Sequence, residues 1–335
     1  MKYGFTLPGR GQLATPERLG TIAKKGEEFG FDALLTGDHI LVPRNISSPY
    51  PYTEGGEFPG STSGESMEQI TLLSYIAGQT SKIRLVTSVL IVPHRNPLVA
   101  AKSLATLDVL SGGRLVVGVG VGWMREEFQA LGLPPFEERG AVTDEYIRAF
   151  KELWTEDNPR FEGKYISFDD ISFLPKPVQK PHPPIWMAAN NDKAIIRAAN
   201  WGYPWIINPH ATIAMIDTQI GVYREAIKSA GLQEPKHLPL MREIHISETR
   251  QKAYEESRPY LEGKYAAYAS WGQDKALPGE VSFTVPYEEL ARDRFLIGTS
   301  EDIINEINRY QNQLGVNHLI LRLQWPNMPH KETIR

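Results

Sequence analysis

The sequence predicts an α/β protein of the (β/α)8 barrel class, built as a single domain with loop insertions. Short runs rich in β-branched residues alternate with amphipathic helical patterns along the whole chain, and eight such runs can be counted. Neither an internal repeat nor a linker-like tract interrupts this alternation. A doubly wound open sheet ranks second, because no glycine fingerprint for a dinucleotide follows the first predicted strand.

The segment 85–123 shows the alternation most clearly. Its first β-branched run ends near Thr87, Asn96-Pro97 opens a helical pattern, and Gly112-Gly113 closes that pattern before a second β-branched run. Similar signals predict strands over residues 2–7, 32–36, 83–87, 114–119, 185–189, 203–208, 238–247 and 316–323. They predict helices over residues 16–29, 70–78, 97–110, 143–154, 192–200, 213–230 and 302–314, and one that begins near 250.

Three stretches do not fit the alternation and are predicted insertions in the single domain 1–335. They lie near residues 43–65, 155–184 and 271–294. The first is dense in Pro, Gly, Ser and Tyr and is longer than a plain connector needs to be. We therefore expect it to form a mobile lid over a ligand site.

Composition excludes several classes of function. The net charge of −4 gives no reason to expect a nucleic-acid partner, and no apolar run approaches the ~20 residues of a membrane span. The absence of cysteine excludes disulfides and thiolate catalysis, and it suits a cytoplasmic location. The first residues lack the apolar core of a signal peptide, and the histidines show no metal-ligand spacing, so we expect no metal.

Polar and small residues cluster where predicted strands end, which is where barrels bind their ligands. Thr87-Ser88 ends the third strand, and Gly118, Gly120 and Gly122 alternate at the end of the fourth. Alternating glycines can offer a flat floor to a planar ring, but close packing between strand and helix explains them equally well. Trp123 stands where a dinucleotide fingerprint would require glycine.

Two further pairs follow strand ends. In Asp38-His39, a histidine beside a carboxylate can act as a general base or donor, although an isolated loop histidine is more often bonded to backbone. In His94-Arg95, the arginine can meet a ligand anion or, more commonly, a local carboxylate.

The segment Ala188-Ala189-Asn190-Asn191 joins the fifth strand to a helix. Backbone N–H groups at a helix start can bind an anion. Asn190 or Asn191 can also cap the helix without any ligand.

Together these residues resemble the luciferase-like flavin-dependent oxidoreductases, and the resemblance covers nearly the whole chain. Its most specific part is long and consists of Thr87-Ser88-Val89, Pro93-His94-Arg95-Asn96-Pro97, Leu110-Ser111-Gly112-Gly113-Arg114 and Gly118-Val119-Gly120-Val121-Gly122-Trp123. Gly37-Asp38-His39 and Gly298-Thr299 also match.

The resemblance implies a (β/α)8 barrel that binds FMN, or the deazaflavin coenzyme F420, at the carboxyl ends of its strands. It implies a non-proline cis peptide at Ser88-Val89 behind the ring, and an active-site His39 with Asp38 as its carboxylate. Ala189, Asn190 and Asn191 match the segment that holds the cofactor phosphate. The implied cofactor-binding set is Thr87, Ser88, Val89, Gly120, Val121, Gly122, Ala188, Ala189, Asn190 and Asn191.

The chain departs from the family pattern at three places. Ala188-Ala189 replaces the usual Gly-Gly of the phosphate segment. Val121 stands where bacterial luciferases carry a phosphate-binding arginine, which argues against light emission. Trp123 stands where deazaflavin-dependent sugar-phosphate dehydrogenases carry a catalytic glutamate, which argues against that activity as well.

The function implied is that of a monooxygenase that uses reduced FMN and O2 to oxidise a small organic substrate. A separate flavin reductase would supply the reduced FMN, and the enzyme is expected to be a homodimer or homotetramer. One alternative is an F420-dependent hydride-transfer oxidoreductase, and another is a non-catalytic flavin-binding barrel subunit. Neither a nucleic acid nor a membrane is expected as a partner.

Overall fold

A computed structural model describes residues 1–10, 14–41, 66–270, 282–325 and 328. The predicted lid at 43–65 lies outside these residues, as does the start of the predicted insertion at 271–294. The described residues fall into two compact units. One contains residues 1–6 and those from 186 onward, and the other contains residues between 7 and 185.

The strands are short, as expected for a parallel α/β sheet. Their bounds are β1 Lys2–Thr6, β2 Ala33–Thr36, β3 Arg84–Thr87, β4 Leu90–Ile91, β5 Leu115–Gly120, β6 Phe161–Glu162, β7 Ser167–Phe168, β8 Ile185–Ala188, β9 Trp205–Ile206, β10 Pro239–Ile246, β11 Phe295–Gly298 and β12 His318–Arg322.

Helices alternate with these strands. Their bounds are α1 Pro16–Glu28, α2 Gln69–Ala77, α3 Pro97–Leu110, α4 Arg125–Ala130, α5 Arg139–Thr155, α6 Asp192–Asn200, α7 Ile213–Ser229, α8 Arg250–Ser270, α9 Tyr287–Ala291 and α10 Ser300–Leu314. None of the helices in the described part of the chain has both the length and the apolar character needed to cross a bilayer.

The unit between residues 7 and 185 is built on the parallel strands β2, β3 and β5. β3 pairs with both β2 and β5, and the two-residue β4 extends along β5 at Leu90–Val119 and Ile91–Gly120. These strands are almost continuously apolar because both of their faces are covered. Their carboxyl ends therefore lie side by side, and they place the residues that follow Thr36, Thr87 and Gly120 close together.

The other unit is also built on parallel strands. β12 pairs with β1 and with the first half of β10, whereas the second half of β10 pairs with β11. β8 pairs with β9, and a single bridge joins Ile207 to Leu240 of β10. Its buried polar residues include Asn208 after β9, and Arg242 and Glu243 within β10.

Helix starts follow the predicted capping signals. Thr15 caps α1 with Pro16 at its first position, and Asn96 caps α3 ahead of Pro97. Thr299 and Asp302 form a capping box, which places the start of α10 at Ser300, two residues before the predicted start.

Some elements differ from the prediction. α5 begins at Arg139 rather than at residue 143, while α4, α9 and β11 were not predicted at all, because segments of four to six residues show no clear period. The insertion at 155–184 contains the hairpin of β6 and β7. Glu145 of α5 anchors that hairpin by accepting hydrogen bonds from the backbone N–H groups of Lys164, Tyr165 and Ile166.

A carboxylate at the end of α1 generates a prediction about stability. Glu27 accepts hydrogen bonds from the backbone N–H groups of Ser81, Lys82 and Ile83 and from the Ser81 hydroxyl. Burial raises the pKa of Glu27, but these hydrogen bonds outweigh it and lower the pKa to about 2. We expect Glu27→Gln to lower the free energy of unfolding by about 1 kcal/mol at pH 7.

The sign of the pH dependence follows from the lowered pKa. The contribution is complete above the pKa of about 4.3 that an unfolded glutamate has, and it is lost as the pH falls toward the folded value of about 2. Urea unfolding at several pH values should therefore show the two proteins converging in acid. Glu28→Gln is the matched control, since among the described residues the exposed Glu28 pairs with Lys25 alone. A difference that stays constant with pH would contradict the assignment.

Candidate active site

The site begins with the peptide that follows β3. The Ser88–Val89 peptide is cis, as the resemblance predicts for a non-proline bond at this place. The Ser88 N–H donates to the carbonyl of Thr36 at 2.7 Å, which ties this peptide to the end of β2. Ser88 and Val89 are half-buried, so both are accessible at the strand ends.

The alternating glycines of β5 have separate packing reasons. A Cβ on Gly120 would lie 2.5 Å from Cγ2 of Val89, so Val89 occupies the space that any side chain there would need. Gly122 has a φ of +82°, and its Cβ would meet Phe128 at 2.7 Å. The carbonyl of Gly118 accepts a hydrogen bond from the hydroxyl of buried Thr87 at 2.8 Å. Close packing therefore accounts for glycine at positions 120 and 122, and their predicted role in cofactor binding stays a prediction.

Five half-buried residues follow β3 and β5 at these strand ends: Ser88, Val89, Val121, Gly122 and Trp123. We call these five residues the platform.

His39 lies beside the platform in the loop after β2. Its ring meets Trp123 edge to face, with 6.2 Å between ring centroids. Its Nδ1 atom lies 2.7 Å from Oε2 of Glu127 on α4. The other oxygen of Glu127 accepts the backbone N–H groups of Ile40 at 2.8 Å and Leu41 at 3.3 Å.

The ionisation of Glu127 decides how this contact is made. Burial of this carboxyl, which is 0% exposed, raises its pKa. The hydrogen bond from His39 and the N–H of Ile40 are among the contacts that lower the pKa by more, so that it lies below its usual value. An ionised carboxylate only accepts hydrogen bonds. His39 therefore carries a proton on Nδ1.

The prediction that Asp38 is the carboxylate partner of His39 was wrong. The side chain of Asp38 is bonded by Arg95, with distances of 2.7 and 2.8 Å to the two oxygens, and by the N–H of Ile91 at 3.0 Å. Adjacent side chains in an extended loop point in different directions, so sequence adjacency to His39 did not bring the two together.

Arg95 bonds local carboxylates, which is the commoner of the two roles predicted for it. Besides Asp38, it donates to Oε1 of Glu68 at 2.6 Å. Burial lowers the pKa of Arg95, but its bonds to Asp38 and Glu68 outweigh this and raise the pKa. Its position at the site is therefore structural: it joins the segment after β4 to the loop after β2 and to the start of α2.

His94 is a second imidazole near Glu127. It is buried, its Nδ1 atom lies 3.6 Å from Glu127 Oε1, and its ring packs edge to face on Phe128. Burial lowers the pKa of His94 to about 4, against the opposing charges of Glu127 and Asp38. His94 is thus neutral at pH 7, and neither ring nitrogen has a hydrogen-bond partner among the described residues.

The segment Ala188–Asn191 lies in the unit that contains residues 1–6 and those from 186 onward. Asn191 caps α6 by accepting the N–H of Ala194 at 3.0 Å, so its predicted capping role is confirmed. The carbonyl of buried Ala189 accepts the indole N–H of Trp205 at 2.8 Å. Asp192 in the first turn of α6 adds a negative charge, which disfavours an anion there. The phosphate role of Ala188, Ala189, Asn190 and Asn191 stays a prediction.

Glu127 is the functional residue that sequence reasoning missed. It lies in a helix of six residues, 88 positions from His39. The available signal was weak: Glu126-Glu127 follows directly on the glycine-rich strand end and Trp123. Within the described residues, no group of three or more His, Asp or Glu side chains is arranged to hold a metal ion.

The contact between His39 and Glu127 predicts a defined tautomer. In Glu127→Gln the amide oxygen is expected to stay with the N–H groups of Ile40 and Leu41, so the amide NH2 faces His39 Nδ1. The neutral imidazole should then move its proton from Nδ1 to Nε2. 15N NMR of the histidine side chains at alkaline pH reads this directly. Glu137→Gln, which alters an exposed partner of Arg125, is the control. The same tautomer in both proteins would show that Glu127 does not set it.

The pairing of Arg95 predicts a large stability cost. Arg95→Gln leaves the fully buried carboxylate of Asp38 without its counterion. Breaking a buried pair in this way typically costs about 3–5 kcal/mol. Arg125→Gln, which breaks an exposed pair with Glu137, should cost well under 1 kcal/mol. Equal losses for the two variants in chemical denaturation would contradict a special role for Arg95.

Comparison with known proteins places the chain among flavin enzymes. A monooxygenase from Streptomyces bottropensis has a similar solved structure, with a TM-score of 0.78 and 25% identity over 100% of this chain and 96% of that one. An FMNH2-dependent dimethylsulfone monooxygenase of Pseudomonas putida is 38% identical over 139 residues, which are 40% of this chain and 38% of that protein. These likenesses confirm the predicted (β/α)8 class.

Other relatives depend on a different coenzyme, F420. An F420-dependent glucose-6-phosphate dehydrogenase of Amycolatopsis mediterranei is 27% identical over 312 residues, which cover 91% of this chain and 88% of that enzyme. The model of the luciferase-like monooxygenases matches residues 1–318. On this match, which confirms the resemblance noted from the sequence, the chain belongs to the luciferase-like monooxygenase family.

Proposed function

We propose that this protein is a monooxygenase that uses reduced FMN and O2 to oxidise a small organic substrate. The observation that carries the proposal is the buried pair of His39 and Glu127 beside the half-buried platform at the ends of β2, β3 and β5. The similarity to the monooxygenases of S. bottropensis and P. putida supports it.

The platform suits a planar ring. Val89, Val121 and Trp123 supply apolar surface, while Ser88 and Gly122 add accessible backbone where no large side chain projects. A tricyclic flavin is planar and largely apolar on its faces, so these five residues would hold its ring.

Bound reduced FMN would supply the electrons that activate O2 for insertion of one oxygen atom into the substrate. The role of the chain's own residues is to manage protons and water. With its Nδ1 proton held by Glu127, His39 exchanges protons with the substrate through Nε2. The negative charge of Glu127 stabilises the imidazolium when His39 takes up a proton. Burial of both side chains limits the access of water.

The reduced cofactor would come from a separate flavin reductase, and we propose a homodimer or homotetramer as the working form. An F420-dependent hydride-transfer oxidoreductase is the second candidate. It is favoured by the F420-dependent relative from A. mediterranei, which aligns over 91% of this chain. In either case His39 is the residue placed to transfer a proton at the platform.

The assigned role of His39 can be tested by substitution. His39→Ala should lower turnover by ~10²–10⁴-fold, the usual contribution of general acid–base catalysis, and should leave cofactor affinity within a few-fold. His182→Ala is a matched control, because half-buried His182 bonds only the carbonyl of Pro183 and packs on Trp154. Full activity in the His39 variant would remove it from the mechanism.

A titration separates the two candidate cofactors. The purified protein should bind reduced FMN more tightly than F420, and it should consume O2 only when reduced FMN and substrate are both present. Tight binding of F420 together with substrate oxidation in the absence of O2 would establish the second candidate instead. Binding of flavin with no turnover of any tested substrate would favour a non-catalytic flavin-binding subunit.

A further inference from the structure

A cluster of cations lies in the unit that contains residues 1–6 and those from 186 onward. Arg242 is on β10, Lys264 is on α8, Arg294 directly precedes β11 and Arg322 ends β12. Arg242 is 0% exposed and Arg294 is 7% exposed. We refer to these four residues, together with Glu243, as the cation cluster.

Glu243 is the carboxylate bonded within this cluster. Its Oε1 lies 2.6 Å from Nζ of Lys264 and 3.2 Å from Nη1 of Arg322, and its Oε2 accepts the indole N–H of Trp325 at 2.7 Å. Burial raises the pKa of Glu243, but the charges of Arg322 and Lys264 lower it by more, so the carboxyl is ionised. One negative charge thus serves two cations.

The other two cations are bonded to neutral groups. Arg242 donates to the Tyr310 hydroxyl at 2.9 Å and to the carbonyls of Asn208 and Ala211 at 3.2 and 2.9 Å. Neither Arg242 nor Arg294 forms an ion pair with a residue of the described ranges.

Arg294 donates to the carbonyls of His210 and Leu290 at 2.9 and 3.2 Å. The nearby carboxylate of Asp293 lies 2.6 Å from Arg309, a cation outside the cluster. Within the described residues, Arg242 and Arg294 therefore carry positive charge that no carboxylate pairs with.

The positive charges of the cluster act on the pKa of His210. Burial, followed by the charges of Arg322, Lys264, Arg242 and Arg294, holds the pKa of His210 well below its usual value. Its Nδ1 atom lies 3.4 Å from the hydroxyl of Tyr265, and its ring packs against Tyr265 and Phe283. The aromatic surroundings and the burial lower the local dielectric constant, which strengthens attraction for an anion.

An unsatisfied donor lies in the same place. Asn208 is 7% exposed, and its Oδ1 atom accepts the backbone N–H groups of His210 and Ala211. Its Nδ2 group has no hydrogen-bond partner among the described residues. A buried N–H donor without a partner is rare in a native protein, and a bound acceptor would satisfy it.

We propose that the cation cluster and Asn208 bind the oxyanion, a sulfonate, carboxylate or phosphate, of a small organic ligand. Arg322, the most exposed of the cations with 25% of its side chain accessible, makes the first contact. Its planar guanidinium matches two oxygens of the anion, and Asn208 Nδ2 donates to a third.

The alternative, a purely structural cluster, explains only part of these observations. It accounts for Lys264 and Arg322, which neutralise Glu243. It does not account for Arg242 and Arg294, which have no counterion among the described residues, or for the Asn208 amide donor, which has no partner there. A bound oxyanion would provide the arginines with a counterion and would accept a hydrogen bond from Asn208.

The test measures binding of inorganic sulfate and of benzenesulfonate to the flavin-free full chain by calorimetry, with ionic strength matched by chloride. The wild-type protein should bind both. Arg322→Gln, which leaves Glu243 bonded to Lys264 and Trp325, should weaken binding at least ten-fold. Arg309→Gln removes a partly exposed cation outside the cluster and should bind as wild type. Failure of the wild type to bind either anion, or equal loss in both variants, would overturn the proposal.

A second variant guards against misfolding. Asn208→Asp keeps an oxygen for the N–H groups of His210 and Ala211 and replaces the unpaired donor with a negative charge. It should fold, as judged by circular dichroism, and should lose sulfate binding at least ten-fold. Unchanged binding in the folded variant would contradict the role of Nδ2.

The source of the oxyanion is decided by comparing FMN with riboflavin. Arg322→Gln should change the affinity for the two by the same factor, because the ligand of the cluster is not the flavin phosphate. Loss of FMN affinity with riboflavin affinity retained would mean that the cluster holds the cofactor phosphate, and the proposal of a separate organic ligand would fall. Sulfate binding requires neither flavin nor turnover, so it can fail while the proposed monooxygenase activity stands, and the converse is equally observable.

Discussion

The buried carboxylate of Glu127 is the interaction on which the candidate active site depends. It lies on α4 but holds residues 39–41, which follow β2, by accepting from one imidazole and two backbone N–H groups. A charge without access to water needs every donor that surrounds it. The loop after β2 is therefore fixed by the requirement to satisfy Glu127, and this requirement sets both the place and the tautomer of His39.

Asp38 fixes the other side of the same loop. Its carboxylate is held by Arg95 and by the N–H of Ile91, and Arg95 in turn reaches Glu68 at the start of α2. Two consecutive residues, Asp38 and His39, are thus tied to two different segments. The loop cannot shift toward either segment without breaking ionic hydrogen bonds on the other, so the imidazole is held rigidly beside the platform.

Local signals in the sequence were sufficient for most of the fold. Asn96 and Pro97 define the start of α3, and the predicted helix matches the observed Pro97–Leu110. The cis peptide at Ser88-Val89 and the place of His39 came from the family resemblance. The partner of His39 could not be predicted, because Glu127 lies 88 residues away on a helix too short to show periodicity. Likewise, the cations around Glu243 come from elements far apart in sequence, and only the register of β10 with β12 brings Glu243 beside Arg322.

The glycines of β5 show why packing and ligand binding need not be competing explanations. Val89 can lie against β5 only because Gly120 has no side chain, and Gly122 turns with positive φ to admit Phe128. These packing demands place Val89 and Trp123 where both are half-buried, and so create the surface on which a ring can lie. A residue can therefore be structural in its contacts and still be indispensable to the site. In this unit Gly120, Arg95 and Glu127 fix the surrounding backbone, and under the proposed function the platform and His39 contact the ligand.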